Sequence, residues 1–128
     1  MSEQIEQWIG QFGLADFLQP HVATVISNLP AAVRDDLMQD AAFTMCDYDP
    51  TPRLPFRVPV GLPMRGKPAR SVVLKRTLVR RSDAFIRWLI AHELAHAHLR
   101  HGGRWPAEDP ELAADALAAA WGFPRPVQ

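Results

Sequence analysis

Apolar residues recur three and four positions apart along the first part of the chain: Ile5, Trp8, Ile9 and Phe12, then Val22, Val25, Ile26 and Leu29. This spacing gathers them on one face of a helix, so the pattern predicts amphipathic helices over both stretches. Gly13 punctuates the first, and Leu14, Phe17 and Leu18 read as a short apolar turn that Pro20 stops. Asn28 and Pro30 break the second, and Ala31 to Met38 can form a third short helix with Pro30 at its first position.

From Phe43 the pattern changes. Six of the twelve prolines lie between Pro50 and Pro68, which excludes a long helix there. Short extended pieces are expected at Phe43 to Tyr48 and Phe56 to Val60, and Ser71 to Val79 (SVVLKRTLV) reads as a strand. Ser82 can cap the next element. Phe85 through His101 holds neither Gly nor Pro and is apolar around most of its girth, which predicts a central buried helix ended by Gly102-Gly103. Asp109-Pro110 then gives a start signal, an N-cap followed by proline, for an alanine-rich helix from Glu111 to Trp121 that Gly122 and Pro124 close. The expected architecture is one α+β domain over residues 1–128. It comprises a helical part (1–42), a proline-rich and strand part (43–80) forming a small, mostly antiparallel sheet, and a helix pair (82–122) packed beneath that sheet.

Composition adds limits. With 48% hydrophobic and 22% charged residues the chain can bury a core without staples, and the lone Cys46 excludes an internal disulfide. The amino terminus lacks the basic start and apolar run of a secretory signal, and no stretch approaches the roughly 18 apolar residues of a membrane helix. A cytoplasmic protein is the expectation. Net charge is zero but uneven: residues 1–50 carry eight acidic side chains and one basic, residues 53–87 ten basic and one acidic. The basic block suits nucleic acid or an acidic protein substrate, or it is neutralised by folding against the acidic first third. Scarce aromatic residues in the block weigh against nucleic acid.

His92-Glu93-Leu94-Ala95-His96 is an HExxH motif inside the predicted central helix. Residues four apart lie about 6 Å apart along the axis and about 40° apart around it, so both imidazoles leave one face and can bind one zinc ion. Glu93 reaches the side where an activated water would lie and can act as general base. Burying two histidines and a glutamate on an apolar helix without partners is costly, which favours a functional site over ordinary core histidines. A catalytic zinc needs a third protein ligand and an open position. Glu108, Asp109, Glu111 and Asp115 are the downstream candidates. Glu111 and Asp115 are four apart on one face, so one can bind the metal while the other orients a histidine.

HELAHAHLRH followed by EDPELAADALAAAWGF resembles the gluzincin metallopeptidases, in which a second helix bearing ExxxD or ExxAD follows the HExxH helix. Glu111 to Asp115 (ELAAD) matches ExxAD position for position. The stretch from about Ser71 to Phe123 is similar to the short intracellular metallopeptidase domains of the ImmA/IrrE type and the minigluzincins. The resemblance implies a zincin-like fold, Zn2+ as cofactor, His92, His96 and Glu111 as metal ligands, and Asp115 as the carboxylate behind a ligand. It also implies a protein or peptide substrate held along an edge strand, for which Ser71 to Val79 or Phe56 to Val60 is the candidate. The first seventy residues carry no signature of the family.

His98 and His101 do not complete the longer HExxHxxGxxH pattern. Leu99 stands where its glycine belongs and Gly102 where its third histidine belongs, so both are expected to point away from the His92/His96 face. Tyr48, Arg104 and His101 are the candidates for stabilising an oxyanion, and Cys46 for closing the open zinc position in a latent form. Two readings beside the zinc peptidase stand open: a non-catalytic zinc-binding regulatory module that meets protein or nucleic acid through the basic middle segment, and a hydrolase of non-peptide amides. The intact Glu93 disfavours the first, because a purely structural site has no use for a base.

Overall fold

The computed structural model describes residues 3–48, 70–99 and 110–126, with the side chains of Arg70 and Pro110 left aside. Within these residues the chain is α+β: helices α1 (Glu3–Gly10), α2 (Leu18–Ser27) and α3 (Ala31–Met38), strands β1 (Phe43–Tyr48) and β2 (Arg70–Lys75), then helices α4 (Asp83–Leu99) and α5 (Pro110–Ala120). A 3₁₀ turn at Arg76–Arg80 joins β2 to α4. The expectations at Phe56 to Val60, Gly102-Gly103, Arg104, Glu108 and Asp109, and at His101, lie outside the described residues.

The amino-terminal stripes fold as expected, with one correction. Pro20 does not stop the Leu14–Leu18 turn; it sits in the first turn of α2. Proline is tolerated there because the first N–H groups of a helix have no intrahelical acceptor. Pro30 is likewise the residue flanking α3, with extended backbone, and not its first helical position. At Gly13 the backbone turns with φ of +65°, a conformation glycine adopts without strain.

The sheet is the larger correction. It is parallel, not antiparallel, with Phe43 opposite Arg70 through to Tyr48 opposite Lys75. An antiparallel pair can be closed by a two-residue turn, whereas a parallel pair needs a crossover of about a dozen residues or more. Residues 49–69 supply that length. The second strand also ends at Lys75 and not at Val79. Val72 and Leu74 face the core at the period of two, so a continued strand would drive Arg76 into it. The 3₁₀ turn re-aims the chain instead. Leu78 becomes the next buried side chain, and Arg76 Nε donates to Asp47 Oδ1 at 2.9 Å.

Asp47 shares the inward parity of Phe43 and Met45 and is almost fully buried. It accepts from the Ala15 N–H at 2.6 Å as well as from Arg76, the pairing a buried carboxylate requires. This ion pair is one point at which the acidic first third meets the basic middle.

Helix α4 lies at the centre, packed against α2, α3, α5 and β2. Ile86, Ile90, Ala91, Leu94 and Ala95 are buried along it. Ser82 Oγ accepts the Phe85 N–H at 3.2 Å and starts the helix as expected. The face that α5 turns inward carries Ala114 and Ala118, both fully buried, and such small side chains let it lie close to α4. No helix among the described residues is long and apolar enough to cross a membrane.

Candidate metal centre

His92 and His96 leave the same side of α4, one turn apart, with their Nε2 atoms 3.1 Å from one another. Glu111, in the first turn of α5, straddles them: Oε1 is 3.0 Å from His92 Nε2 and Oε2 is 3.1 Å from His96 Nε2. A carboxylate is favoured at this place because the helix N-terminus carries a positive partial charge. Asp115, one turn further along α5, lies behind His92, with Oδ1 2.7 Å from Nδ1. The α4–α5 packing thus brings together all four donors singled out in the sequence, and it separates their roles.

Hydrogen-bond accounting shows why the roles differ. With Nδ1 2.7 Å from the Asp115 carboxylate, a neutral His92 ring carries its proton on Nδ1 and turns the lone pair of Nε2 toward Glu111. That lone pair faces a Glu111 oxygen, also a lone-pair donor, at 3.0 Å. A cation between the groups resolves the conflict and makes each of them a ligand. The spacing suits one: ligands at about 2.0–2.1 Å from a tetrahedral ion stand roughly 3.4 Å apart, close to the separations found here. His92, His96 and Glu111 offer ligand atoms that all lie within 4.8 Å of one another and form a set able to hold a metal ion. Glu111 keeps 69% of its side-chain surface exposed, so the cluster opens toward solvent and is not sealed in the core.

Glu93 leaves α4 on the adjoining face. Burial raises its carboxyl above the ordinary value, and the His96 and His92 imidazoles pull it back while Glu111 adds to the rise. Glu93 lines an open cleft of about 570 Å³ between β2, the 3₁₀ turn and α4. Glu93 is thus a half-buried carboxyl that lines a cleft and feels the charges of the His92, His96 and Glu111 cluster.

Trp88, one of the apolar residues of α4, also belongs to this site. Its indole N–H donates to the same Asp115 Oδ1, at 3.0 Å, that receives the His92 proton. Trp88 precedes His92 by one helical turn, so both address one carboxylate; the i, i+4 spacing was the available signal. The Arg125 guanidinium lies 5.0 Å from the Trp88 ring centroid and brings the carboxy-terminal tail over it.

The remaining candidates fall elsewhere. His98 Nδ1 meets Asp36 Oδ2 at 2.8 Å, away from the cluster, in keeping with its predicted direction. Cys46 lies on β1 opposite Val73, and the cluster does not include it. Burial, and then Asp47, raise its thiol, which disfavours the thiolate that a metal would bind. Tyr48 is half-buried at the end of β1, opposite Lys75. Comparison with protein-family models, with curated proteins and with solved structures finds no match for this chain.

Proposed function

We propose that this chain is a small zinc-dependent peptidase of the gluzincin kind, with His92, His96 and Glu111 holding the metal and Glu93 acting as general base. The observation that carries the reading is the convergence of three lone-pair donors from two helices, with a second carboxylate, Asp115, holding one imidazole from behind. Two imidazole nitrogens and one carboxylate oxygen are the ligand types of catalytic zinc sites that keep a position open. A zinc ion held there supplies Lewis acidity, acidifying water and polarising a carbonyl.

The side chains divide the rest of the work. Asp115, accepting from both His92 and Trp88, holds the His92 ring in the tautomer that turns Nε2 toward the metal. Glu93, raised in pKa, takes a proton from the attacking water and delivers it to the leaving nitrogen. An extended substrate can lie along β2, whose other edge has no strand partner among the described residues, and there it reaches Glu93. Proximity of Glu93 to the cluster favours this reading over a regulatory module that keeps its metal for structure.

Metal analysis of the purified protein against His96→Ala is the first test. One zinc per chain is expected in the wild type and none in the variant. A broad peptide-cleavage screen follows, in which Glu93→Gln is expected to keep the metal and lose turnover. A chain that binds no metal, or one whose cleavage survives Glu93→Gln, overturns the proposal.

A further inference from the structure

The cleft that Glu93 lines has a composition the hydrolytic chemistry does not explain. Its lining includes Lys75, Arg80 and Arg81, all exposed, and the half-buried Phe85 and Leu89 of α4. Neither Lys75 nor Arg80 has an ion pair with another described residue. Arg76, between them in sequence, is committed to Asp47. The Arg81 guanidinium lies 3.7 Å from the Phe85 ring centroid and covers one face of that ring. Among the described residues, then, Lys75 and Arg80 are two cations without an ion pair in a cleft that Phe85 and Leu89 also line, and Glu93 is the one acid in that lining.

We infer that this cleft selects an extended peptide segment carrying acidic side chains around an apolar one, with Lys75 and Arg80 as the specificity-determining residues. Main-chain pairing along β2 would hold any sequence, so selectivity has to come from side-chain contacts. Phe85 and Leu89 accept an apolar side chain, and the two cations meet carboxylates on either side of it. About 570 Å³ lies within the roughly 300–1,000 Å³ usual for ligand sites, enough for a short segment. The same cations could meet phosphates, but a nucleic acid is the poorer occupant. Its bases need an open aromatic face, and the Phe85 ring already carries Arg81. The lining also includes the Glu93 carboxyl, an unfavourable neighbour for any phosphate that enters. The inference rests on the peptidase reading for what happens to the segment, not for its binding.

The test measures binding apart from cleavage. The full chain carrying Glu93→Gln is titrated into three fluorescein-labelled dodecapeptides of one apolar pattern, with Glu, Gln or Lys at the polar positions. A dodecauridylate of the same label is the fourth probe. Near 50 mM salt the Glu peptide is expected to bind about fivefold to tenfold more tightly than the Gln peptide. That margin should shrink as salt rises, as it does for exposed charge pairs. Lys75→Glu/Arg80→Glu, at exposed positions whose reversal leaves the core untouched, is expected to abolish the preference while the circular dichroism melt and metal content stay unchanged. Equal binding of the Glu and Gln peptides overturns the inference, as does a preference that survives the double reversal, or tighter binding of the dodecauridylate than of the Glu peptide. The two proposals fail separately. Cleavage without acid preference removes this one alone, and acid-selective binding by a chain that holds no metal removes the peptidase alone.

Discussion

Histidines meet carboxylates on two sides of α4, and the two sides differ in a way that distances alone conceal. Toward α2 and α3, His98 pairs with Asp36 at 2.8 Å, and His21 accepts from Arg87 Nε at 3.2 Å while its other nitrogen faces Asp83 at 3.6 Å. Each of these contacts can be written with one donor and one acceptor. Toward α5, His92, His96 and Glu111 approach one another at 3.0–3.1 Å, three ligand-type groups converging on one point, with Asp115 behind His92. A histidine beside a carboxylate is ordinary structural pairing; two histidines and a carboxylate whose ligand atoms all lie within 4.8 Å of one another form a set able to hold a cation. The metal reading therefore rests on that convergence and on the direction of His92 Nδ1 toward Asp115, which leaves Nε2 facing Glu111.

The contrast can be broken most directly by removing a histidine from each side. A metal present at a thousandfold excess over its dissociation constant stabilises the fold that binds it by about 4 kcal/mol. Chemical denaturation with and without zinc is expected to show a gain of this order for the wild type and for His98→Ala, and none for His96→Ala. A gain lost equally in both variants would erase the distinction between the two sides. Next in size is Asp115→Asn, which keeps the shape but can offer its amide group to His92 in place of an acceptor. Loss of such an outer partner costs roughly 10–100-fold in metal affinity, readable by competition with a chelating dye. Trp88→Phe, which removes only the second donor to that carboxylate, is expected to weaken affinity by less, with the same readout.

Smaller effects separate the two sides by pH. Burial holds the Glu93 carboxyl above its ordinary pKa, so the folded, metal-free chain binds this proton more tightly than the unfolded chain does. Its contribution is most favourable at low pH and is lost as pH rises from the unfolded value through the folded one. The metal-free Glu93→Gln variant is thus expected to melt a few degrees above the metal-free wild type at pH 7 and to lose that advantage near pH 4. His21 runs the opposite way. Burial, then Arg87, lower it below its usual 6.5, with Asp83 opposing them. Its contribution is present above that value and is lost as pH falls through the folded pKa. His21→Gln should flatten the acid limb of the stability profile slightly and leave zinc binding unchanged.

Much of the site was legible before the fold was known, because its information is local. The i, i+4 spacing of His92 and His96 fixes their common face once a helix forms, and the same holds for Glu111 and Asp115. The absence of Gly and Pro from Phe85 to His101 made that helix readable. What stayed hidden was which of the two α5 carboxylates reaches which nitrogen, and that Trp88 shares Asp115, since both depend on how far α5 slides along α4.

The sheet shows the same boundary from its less legible side. Alternating apolar residues identified Phe43–Tyr48 as a strand and located the start of the second, but side-chain period says nothing about strand direction. Parallel pairing was decided by a crossover, and the early end of β2 by the partnership of Arg76 with Asp47, 29 residues earlier in the chain. The sequence by itself determined the helices, the faces they turn and the chemical types available on them, because these follow from periodicity within a few residues. Only the tertiary structure decided strand direction, the division of labour between Glu111 and Asp115, and the cationic cleft beside Glu93. Each of those joins segments whose relative placement is set by packing of the whole core.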